Sequence, residues 1–554
     1  MFSFFLKKLP GFFMILAASL LLFSACGDKQ KIPEAKMVIL IGIDGLSIPG
    51  LQIAETPNID ELIRTGALSF KTRSVMPSIS GPNWASHLMG AGPEQHAVTM
   101  NGWTRETTKI DPAQKDEDGY FPSIFSVIRE QRPQAKMGFF YDWDALLFFT
   151  NPRNIDRIEF SLSYPETFEK VTPWLLENQP EFTFLYVGYP DEVGHEFKWE
   201  SPEYLRSIEG VDAALGQLFN ELKKAGLYEK THFLVVSDHG AIDYGHGGIS
   251  MEEMVVPWLI SGPGTIQNRM IEQPNDVFNT ASTIISLFGL EQPIAWVGRP
   301  VYGAFSGSEL SKQNTNAYVQ DPISNLSSGI YTLPQSLTLK VADAATEIRY
   351  TLDGTEPNLN SVLYSEPILL NQNLKLMAAA FRGNYRSRTT KVGFTLVKPV
   401  EKIQLRHMPS QKYYSEGAET LINRTFATGE FTDGKWLGFE STDLEATLTL
   451  PGISAVSQIS IGYLNNTYSW IFPPARVVIQ GSTDGKTFFD LGKFEEAQIT
   501  AQAKAGRNEL QLILTEPVSV KFLRVFAANV GVCPPGHSGE GQPAWLFVDE
   551  ILVQ

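Results

Sequence analysis

Between Lys36 and about Phe305, short apolar runs alternate with longer stretches of helical periodicity, the texture of an α/β domain around a mainly parallel sheet. The clearest strands run from Val38 to Ile43, Phe182 to Val187 and Phe233 to Val236, unbroken apolar segments of the kind buried on both faces. Residues 306–322 are polar and irregular and read as a linker. From 323 to 398 the period changes to two. Leu337, Leu339 and Val341, then Ile348, Tyr350 and Leu352 ahead of an Asp353-Gly354 turn, predict a small all-β module. Residues 399–554 form a second β-rich block, with strands at Leu444 to Leu450, Ile459 to Tyr463, Val477 to Ile479 and Phe522 to Phe526. Thr483-Asp484-Gly485-Lys486 supplies one of its turns, and its final strand includes Trp545 to Val548.

Ahead of these blocks, Lys7 and Lys8 precede an apolar run from Gly11 to Leu22, shorter than a membrane span and suited to a signal peptide. The stretch Leu22-Phe23-Ser24-Ala25-Cys26 resembles a bacterial lipobox. That resemblance implies a signal over residues 1–25, acylation of Cys26, a tether over 26–35 and a lipid-anchored place in the cell envelope, outside the cytoplasm. Composition adds limits. At 554 residues the chain exceeds one ordinary core, and 43% hydrophobic with 19% charged residues is globular usage. Lys+Arg 45 against Asp+Glu 61 gives a net charge of -16, an acidic surface that repels phosphate backbones and argues against a nucleic-acid polymer as partner. With Cys26 in the signal, Cys533 is alone and no intrachain disulfide is expected.

In an open α/β sheet the ligand site lies beyond the carboxyl ends of the strands. Three strands end in the same kind of residue there. The first runs into Gly42-Ile43-Asp44-Gly45, the second into Asp191-Glu192-Val193-Gly194-His195, and the third into Ser237-Asp238-His239-Gly240. His246 follows within a loop able to fold back over that edge. Three Asp and three His are enough for two divalent ions with O/N ligands of the sort zinc accepts.

The candidate nucleophile lies in Met76-Pro77-Ser78-Ile79-Ser80-Gly81-Pro82-Asn83-Trp84. Pro82 suits the first turn of a helix, placing Ser80 at or near its N-cap, where free N–H groups and the dipole favour an anion. A hydroxyl there can attack phosphorus, Asn83 can donate to a non-bridging oxygen, and Ser78 is the rival nucleophile. His87 reads as a packed helix residue and His96 as a brace for the turn that follows it. Trp84, Tyr141 and Trp143 are candidates to stack on a leaving group.

Asp44, the Ser80 helix, Asp191-x-x-x-His195, Asp238-His239-Gly240 and His246 together resemble the alkaline phosphatase superfamily, in its nucleotide pyrophosphatase/phosphodiesterase branch. Ser80-Gly81-Pro82-Asn83 stands where that branch has Thr-x-Pro-Asn. The likeness covers about 36–305, including Ala91-Gly92-Pro93-Glu94-Gln95-His96 and Trp296-Val297-Gly298-Arg299-Pro300. It implies an alkaline-phosphatase-like α/β catalytic domain with two Zn2+ ions. One ion would be held by Asp191, His195 and His246, the other by Asp44, Asp238, His239 and the Ser80 oxygen. Sulfatases of the superfamily need an Arg where Trp84 stands, which demotes that reading. The aromatic and acidic stretch Tyr141-Asp142-Trp143-Asp144 lacks the cations that monoester specialists use, although Arg105, Lys109 or Arg153 remain candidates to enter the site.

Ile348-Arg349-Tyr350-Thr351-Leu352-Asp353-Gly354-Thr355-Glu356-Pro357 resembles the immunoglobulin-like domain attached to chitobiases. Trp436-Leu437-Gly438-Phe439, Trp470-Ile471-Phe472-Pro473-Pro474 and Ser482-Thr483-Asp484-Gly485 resemble the discoidin-like jelly roll of coagulation-factor C domains. In that fold, Tyr463, Asn465, Tyr468 or Trp470 would line a carbohydrate patch. The expected protein is an envelope phosphodiesterase acting through a Ser80 phospho-enzyme on a small-molecule, glycan or lipid diester. The alternatives are a monoesterase or phosphonate hydrolase with the same metals, and a glycan-binding protein with an idle α/β domain.

Overall fold

Among the described residues, nine strands build the first sheet: β1 (Met37–Ile43), β2 (Gly66–Arg73), β3 (Met137–Tyr141), β4 (Arg157–Phe160), β5 (Phe182–Val187), β6 (Thr231–Val236), β7 (Val255–Ser261), β8 (Arg269–Met270) and β9 (Asn275–Asp276). The computed structural model describes residues 32–554 apart from 107, 109 and 344, so Cys26, the signal segment and Lys109 lie outside it. The order is β4-β3-β5-β1-β6-β7-β2-β8, with β9 also paired to β2. β4, β3, β5, β1 and β6 are mutually parallel, and β7 runs antiparallel to both β6 and β2.

Alternate residues of β1 enter opposite cores. Val38 and Leu40 join one, while Ile39, Ile41 and Ile43 join the other, which is why the strand reads as a continuous apolar run. Five helices matter for the site: α1 (Ser80–Met89), α2 (Tyr164–Asn178), α3 (Tyr189–Phe197), α4 (Pro202–Lys224) and α5 (Asn279–Leu287). α1 and α5 pack into the first core, α2 and α4 into the second. α4 shows the reason plainly, presenting Tyr204, Ile208, Val211, Leu215 and Leu218 at three- and four-residue spacing. No described helix is long and apolar enough to cross a membrane.

The stretch expected as a linker is packed. The first compact unit ends at Val319, and its last residues bind its body: Asn314 Nδ2 donates to Gly303 O (2.9 Å), Met270 N donates to Asn316 O (2.8 Å), and Tyr318 packs edge-on against Phe70 at 5.8 Å. Its polar side chains satisfy backbone groups of the unit, which periodicity does not distinguish from solvation.

The second unit, Gln320–Gln554, is β-rich. A six-stranded sheet centred on Leu374–Arg382 buries Leu376, Ala378, Val392 and Phe394, the period-two positions. A seven-stranded sheet is built on two long antiparallel strands, Leu444–Asn465 and Gly506–Ala528. The strands expected at Leu444 to Leu450 and Ile459 to Tyr463 are one strand, with a register shift between Thr449 and Ser454 where Pro451 cannot donate to the ladder. The last strand is Trp545–Val553. Of the expected sugar-patch residues, Tyr463 lies in the core, Asn465 and Trp470 are half-buried, and Tyr468 is 94% exposed. Cys533 is a buried free thiol.

Candidate active site

Strand order explains why the acidic and imidazole side chains meet. β1 lies between β5 and β6, so the segments leaving their carboxyl ends are neighbours. Asp44 follows β1 directly, and Asp238 and His239 follow β6 after Ser237. Beyond β5 the chain enters α3, with Asp191 in its first turn and His195 four residues on, hence on the same face. Two glycines allow the close packing. Gly45 has φ 64° with Asp191 against it, and a Cβ on Gly240 would lie 2.0 Å from the Glu252 carbonyl oxygen.

The six side chains form a continuous cluster. His239 Nε2 is 3.4 Å from Asp44 Oδ1, 3.2 Å from Asp238 Oδ2 and 3.9 Å from Asp191 Oδ1. His246 Nε2 is 3.5 Å from Asp191 Oδ1 and 3.1 Å from His195 Nε2, which is 3.6 Å from Asp191 Oδ2. Two triads are tight enough to hold an ion each: Asp191 with His239 and His246, and Asp44 with Asp238 and His239. His195 closes the outer side of the first. A tetrahedral zinc with ligands at about 2.0–2.1 Å sets its donors about 3.3 Å apart, close to these separations.

The hydrogen bonds fit such ions. Each imidazole turns Nδ1 to a backbone carbonyl, His195 to Tyr244 O (2.8 Å), His239 to Gly240 O (3.1 Å) and His246 to Ser78 O (3.0 Å), which leaves every Nε2 lone pair facing the cluster. Asp44 Oδ1, Asp191 Oδ1 and Asp238 Oδ2 are buried there with no hydrogen-bond partner among the described residues. Burial, and then the neighbouring Asp238 charge, push the Asp44 carboxyl up to about 7, and burial pushes Asp238 to about 7. Burial with the Asp44 and Asp238 charges pushes Asp191 well up. Burial also holds His239 low and His246 at about 3. Packed carboxylates and neutral imidazoles are what divalent cations stabilise.

Ser80 is the first residue of α1, and its Oγ lies 3.3 Å from His239 Nε2. Ser78 is committed elsewhere. Its Oγ donates to Gly248 O (2.7 Å) and accepts from Gly247 N (3.2 Å), tying down the His246 loop. The alternative of Ser78 as nucleophile is thereby set aside.

Three expectations are corrected. Asn83 is fully buried; its Nδ2 donates to Pro77 O (3.1 Å) and Ile79 O (2.9 Å) while its Oδ1 accepts from Val75 N (2.7 Å), so it shapes the segment before Ser80 and does not face substrate. Trp84 is also fully buried and donates Nε1 to Asp44 Oδ2 (2.9 Å), so it positions that carboxylate. Tyr141 sits in the core against Phe139 and Phe160. Trp143 is half-buried beside Tyr186. Arg105 and Arg153 are held on the loop of residues 116–120, the first on Asp118 O and over the Tyr120 ring, the second on Asp118 at 2.9 Å. His87 bonds Thr280 and Ser237 O inside the core, and His96 bonds Ser86 and Val98 N.

Two residues escaped sequence reasoning. Tyr186, on β5, donates its hydroxyl to Asp44 Oδ2 at 2.5 Å. Asn101 accepts the Gly81 N–H at 2.8 Å, which places its exposed carboxamide beside Ser80. A Tyr in a strand buried on both faces needs a hydrogen-bond partner, and that was the available signal. Asn101 lies in an irregular loop with no such signal.

Comparison with known proteins agrees with this geometry. Residues 38–260, which include the whole cluster and Ser80, match the family model for type I phosphodiesterase / nucleotide pyrophosphatase. That is a family of phosphoric ester hydrolases within the alkaline phosphatase superfamily. Residues 326–392 match that for the chitobiase/beta-hexosaminidase C-terminal domain. Bis(5'-adenosyl)-triphosphatase ENPP4 of Bos taurus is 27% identical over 228 residues, covering 40% of this chain and 50% of that protein. Ectonucleotide pyrophosphatase/phosphodiesterase family member 7 of Rattus norvegicus is 26% identical over 243 residues, covering 41% and 55%. The chain spans about half the length of the curated relatives it matches. Among solved structures, murine ectonucleotide pyrophosphatase / phosphodiesterase 5 superposes with a TM-score of 0.40 at 17% identity, over 46% of this chain and 96% of that one.

Proposed function

We propose that the protein is a zinc-dependent phosphodiesterase of the cell envelope that works through a covalent Ser80 intermediate. The observation that carries this is the cluster of three carboxylates and three imidazoles, running from buried Asp44, Asp238 and His239 out to exposed His195, with Ser80 Oγ 3.3 Å from His239 Nε2. Asp191, His195 and His246 would hold one ion and Asp44, Asp238 and His239 the other. When bound, zinc supplies Lewis acidity that lowers the Ser80 pKa and offsets phosphoryl charge. Ser80 Oγ forms the new bond to phosphorus as the leaving oxygen departs and takes a proton. Water then attacks phosphorus, the Oγ–P bond breaks, and Ser80 recovers its proton. Asn101 offers its amide N–H to a non-bridging oxygen.

Charge favours a diester. Three carboxylates against two divalent ions leave one net positive charge, which balances a diester monoanion and under-compensates a monoester dianion. Arg105 and Arg153 are engaged on their own loop and do not make up the difference. The nucleotide and phosphodiester names of the relatives support the substrate class, and the chitobiase-type match supports contact with glycan through the second unit. We read that unit as an immunoglobulin-like module followed by a discoidin-like one, and Cys26 as the lipid anchor.

Elemental analysis tests the metals. Two zinc per chain are expected, falling to about one in Asp44→Asn, and acid-quenched turnover should leave a phosphoryl adduct on the peptide containing Ser80. A metal-free chain that hydrolyses diesters would overturn the reading.

A further inference from the structure

We propose that Trp199 is a positioning residue that holds the two halves of the carboxylate and imidazole cluster in register, an inference that rests on the two-ion reading of the site. Trp199 lies in the turn between α3 and α4 and is 1% exposed. Its backbone N–H donates to Asp243 O at 2.9 Å, on the loop that carries His246. Its indole Nε1 donates to Gly45 O at 2.9 Å, on the turn that carries Asp44. The ring meets His195 edge-on, with centroids 5.1 Å apart, and His246 likewise at 6.0 Å. Three of the four segments that supply the cluster therefore meet on one residue.

The fourth segment is reached through Gly45, whose N–H donates to Asp238 Oδ1 at 3.1 Å. Gly45 is thus gripped at both ends, by Asp238 on its N–H and by Trp199 and the Tyr204 hydroxyl (2.7 Å) on its carbonyl. The chain makes room for the indole. A Cβ on Gly194, one residue before His195, would lie 2.7 Å from the ring, so glycine lets α3 approach this closely. Lys198 and Glu200, on either side of Trp199, have φ of 80° and 58°, backbone that residues with side chains seldom adopt. Ties to the same two segments hold them there: Lys198 Nζ pairs with Asp243 Oδ1 at 2.7 Å, and Ser47 Oγ donates to Glu200 Oε1 at 2.7 Å. Strain of this kind persists where its surroundings over-determine it, and it gathers at functional sites.

Trp199 also packs into the second core, beside Tyr204 at 5.8 Å. Packing alone would be met by any large apolar side chain, whereas both N–H groups of Trp199 go to segments that carry the cluster. With the Tyr204 hydroxyl still on Gly45 O, loss of the indole N–H orphans no buried carbonyl. What that loss removes is the placement of the Asp44 turn against His195 and His246, and outer contacts of this kind orient the ligands of a metal.

The test uses the chain from Gly27 onward, which keeps every described residue, and reads the affinity for each zinc ion by competition with a chromophoric chelator. Asp44→Asn, expected to keep only the ion of Asp191, His195 and His246, reports that ion by itself. Trp199→Phe keeps a ring and drops the N–H, so it should weaken the Asp44 ion by about tenfold or more and leave the ion that survives in Asp44→Asn within about twofold. Trp199→Leu drops the ring as well and should weaken both ions by about tenfold or more. In both variants kcat for a nitrophenyl diester should fall while KM stays within about twofold. Should they melt early, Gly194→Ala is the substitute, because it pushes the same indole aside while favouring the helix, and it should weaken the His195 ion. Variants that bind both ions as tightly as wild type, whether or not the metal-free chain melts earlier, overturn this inference. A wild type that binds two zinc ions yet turns over no diester overturns the phosphodiesterase reading and leaves this inference standing. A wild type that takes up no zinc overturns the two-ion reading, and this inference with it.

Discussion

The Tyr186 hydroxyl donates to Asp44 Oδ2 at 2.5 Å, and the Trp84 indole N–H donates to the same oxygen at 2.9 Å. With that oxygen doubly held, Asp44 Oδ1 faces the cluster. Removing one donor should loosen the carboxylate without disturbing the fold. Tyr186→Phe is expected to weaken zinc binding at one site by about 10–100-fold, read by competition with a chromophoric chelator, with the unfolding temperature of the metal-free chain nearly unchanged.

The two serines separate by their bonds. Ser80→Ala should abolish the covalent adduct. Ser78→Ala frees Gly247 N and Gly248 O and lets the His246 loop drift, so it should lower kcat about tenfold or more while the adduct still forms on Ser80. Quenched-flow trapping of the adduct in both variants checks this.

Asn83 bonds four backbone groups of the segment before Ser80, on Val75, Pro77 and Ile79. Asn83→Ala leaves the Val75 N–H and the Pro77 and Ile79 carbonyls of this half-buried segment without that partner, and a loss of about 1–3 kcal/mol is expected in urea unfolding. Because the same segment sets the nucleophile, kcat should fall about 100-fold with little change in KM.

The carboxylate and imidazole cluster was legible in the sequence because β1, β5 and β6 are apolar runs with defined ends, and the residues after those ends share one edge in any parallel sheet. The i, i+4 spacing of Asp191 and His195 needed only helical geometry. What failed was orientation. Trp84 and Asn83 follow Ser80 by four and three residues, but residue type does not say whether a side chain near the start of α1 faces substrate or core. Tyr141 was misread for the same reason. The polar stretch of residues 306–319 looked solvated because partners such as Met270 and Phe70 are distant in sequence and near only in three dimensions.

Acid should weaken the first unit through His96. Burial pulls its imidazole down to about 3, and Nδ1 accepts from Val98 N, so the folded state requires the neutral ring. The unfolded chain takes up a proton below about 6.5 while the folded chain does not, so this contribution is complete above that pH and is lost as pH falls toward about 3. His96→Gln should flatten that part of the Tm-versus-pH curve, measured as the difference from wild type.

The most direct test of the whole account is kcat/KM of the zinc-loaded chain for a nitrophenyl phosphodiester and for the matching monoester, beside Ser80→Ala. The diester should be preferred, and its turnover should drop by about a thousandfold or more in Ser80→Ala. A preference for the monoester, or a Ser80→Ala variant that keeps wild-type diester turnover, would contradict it.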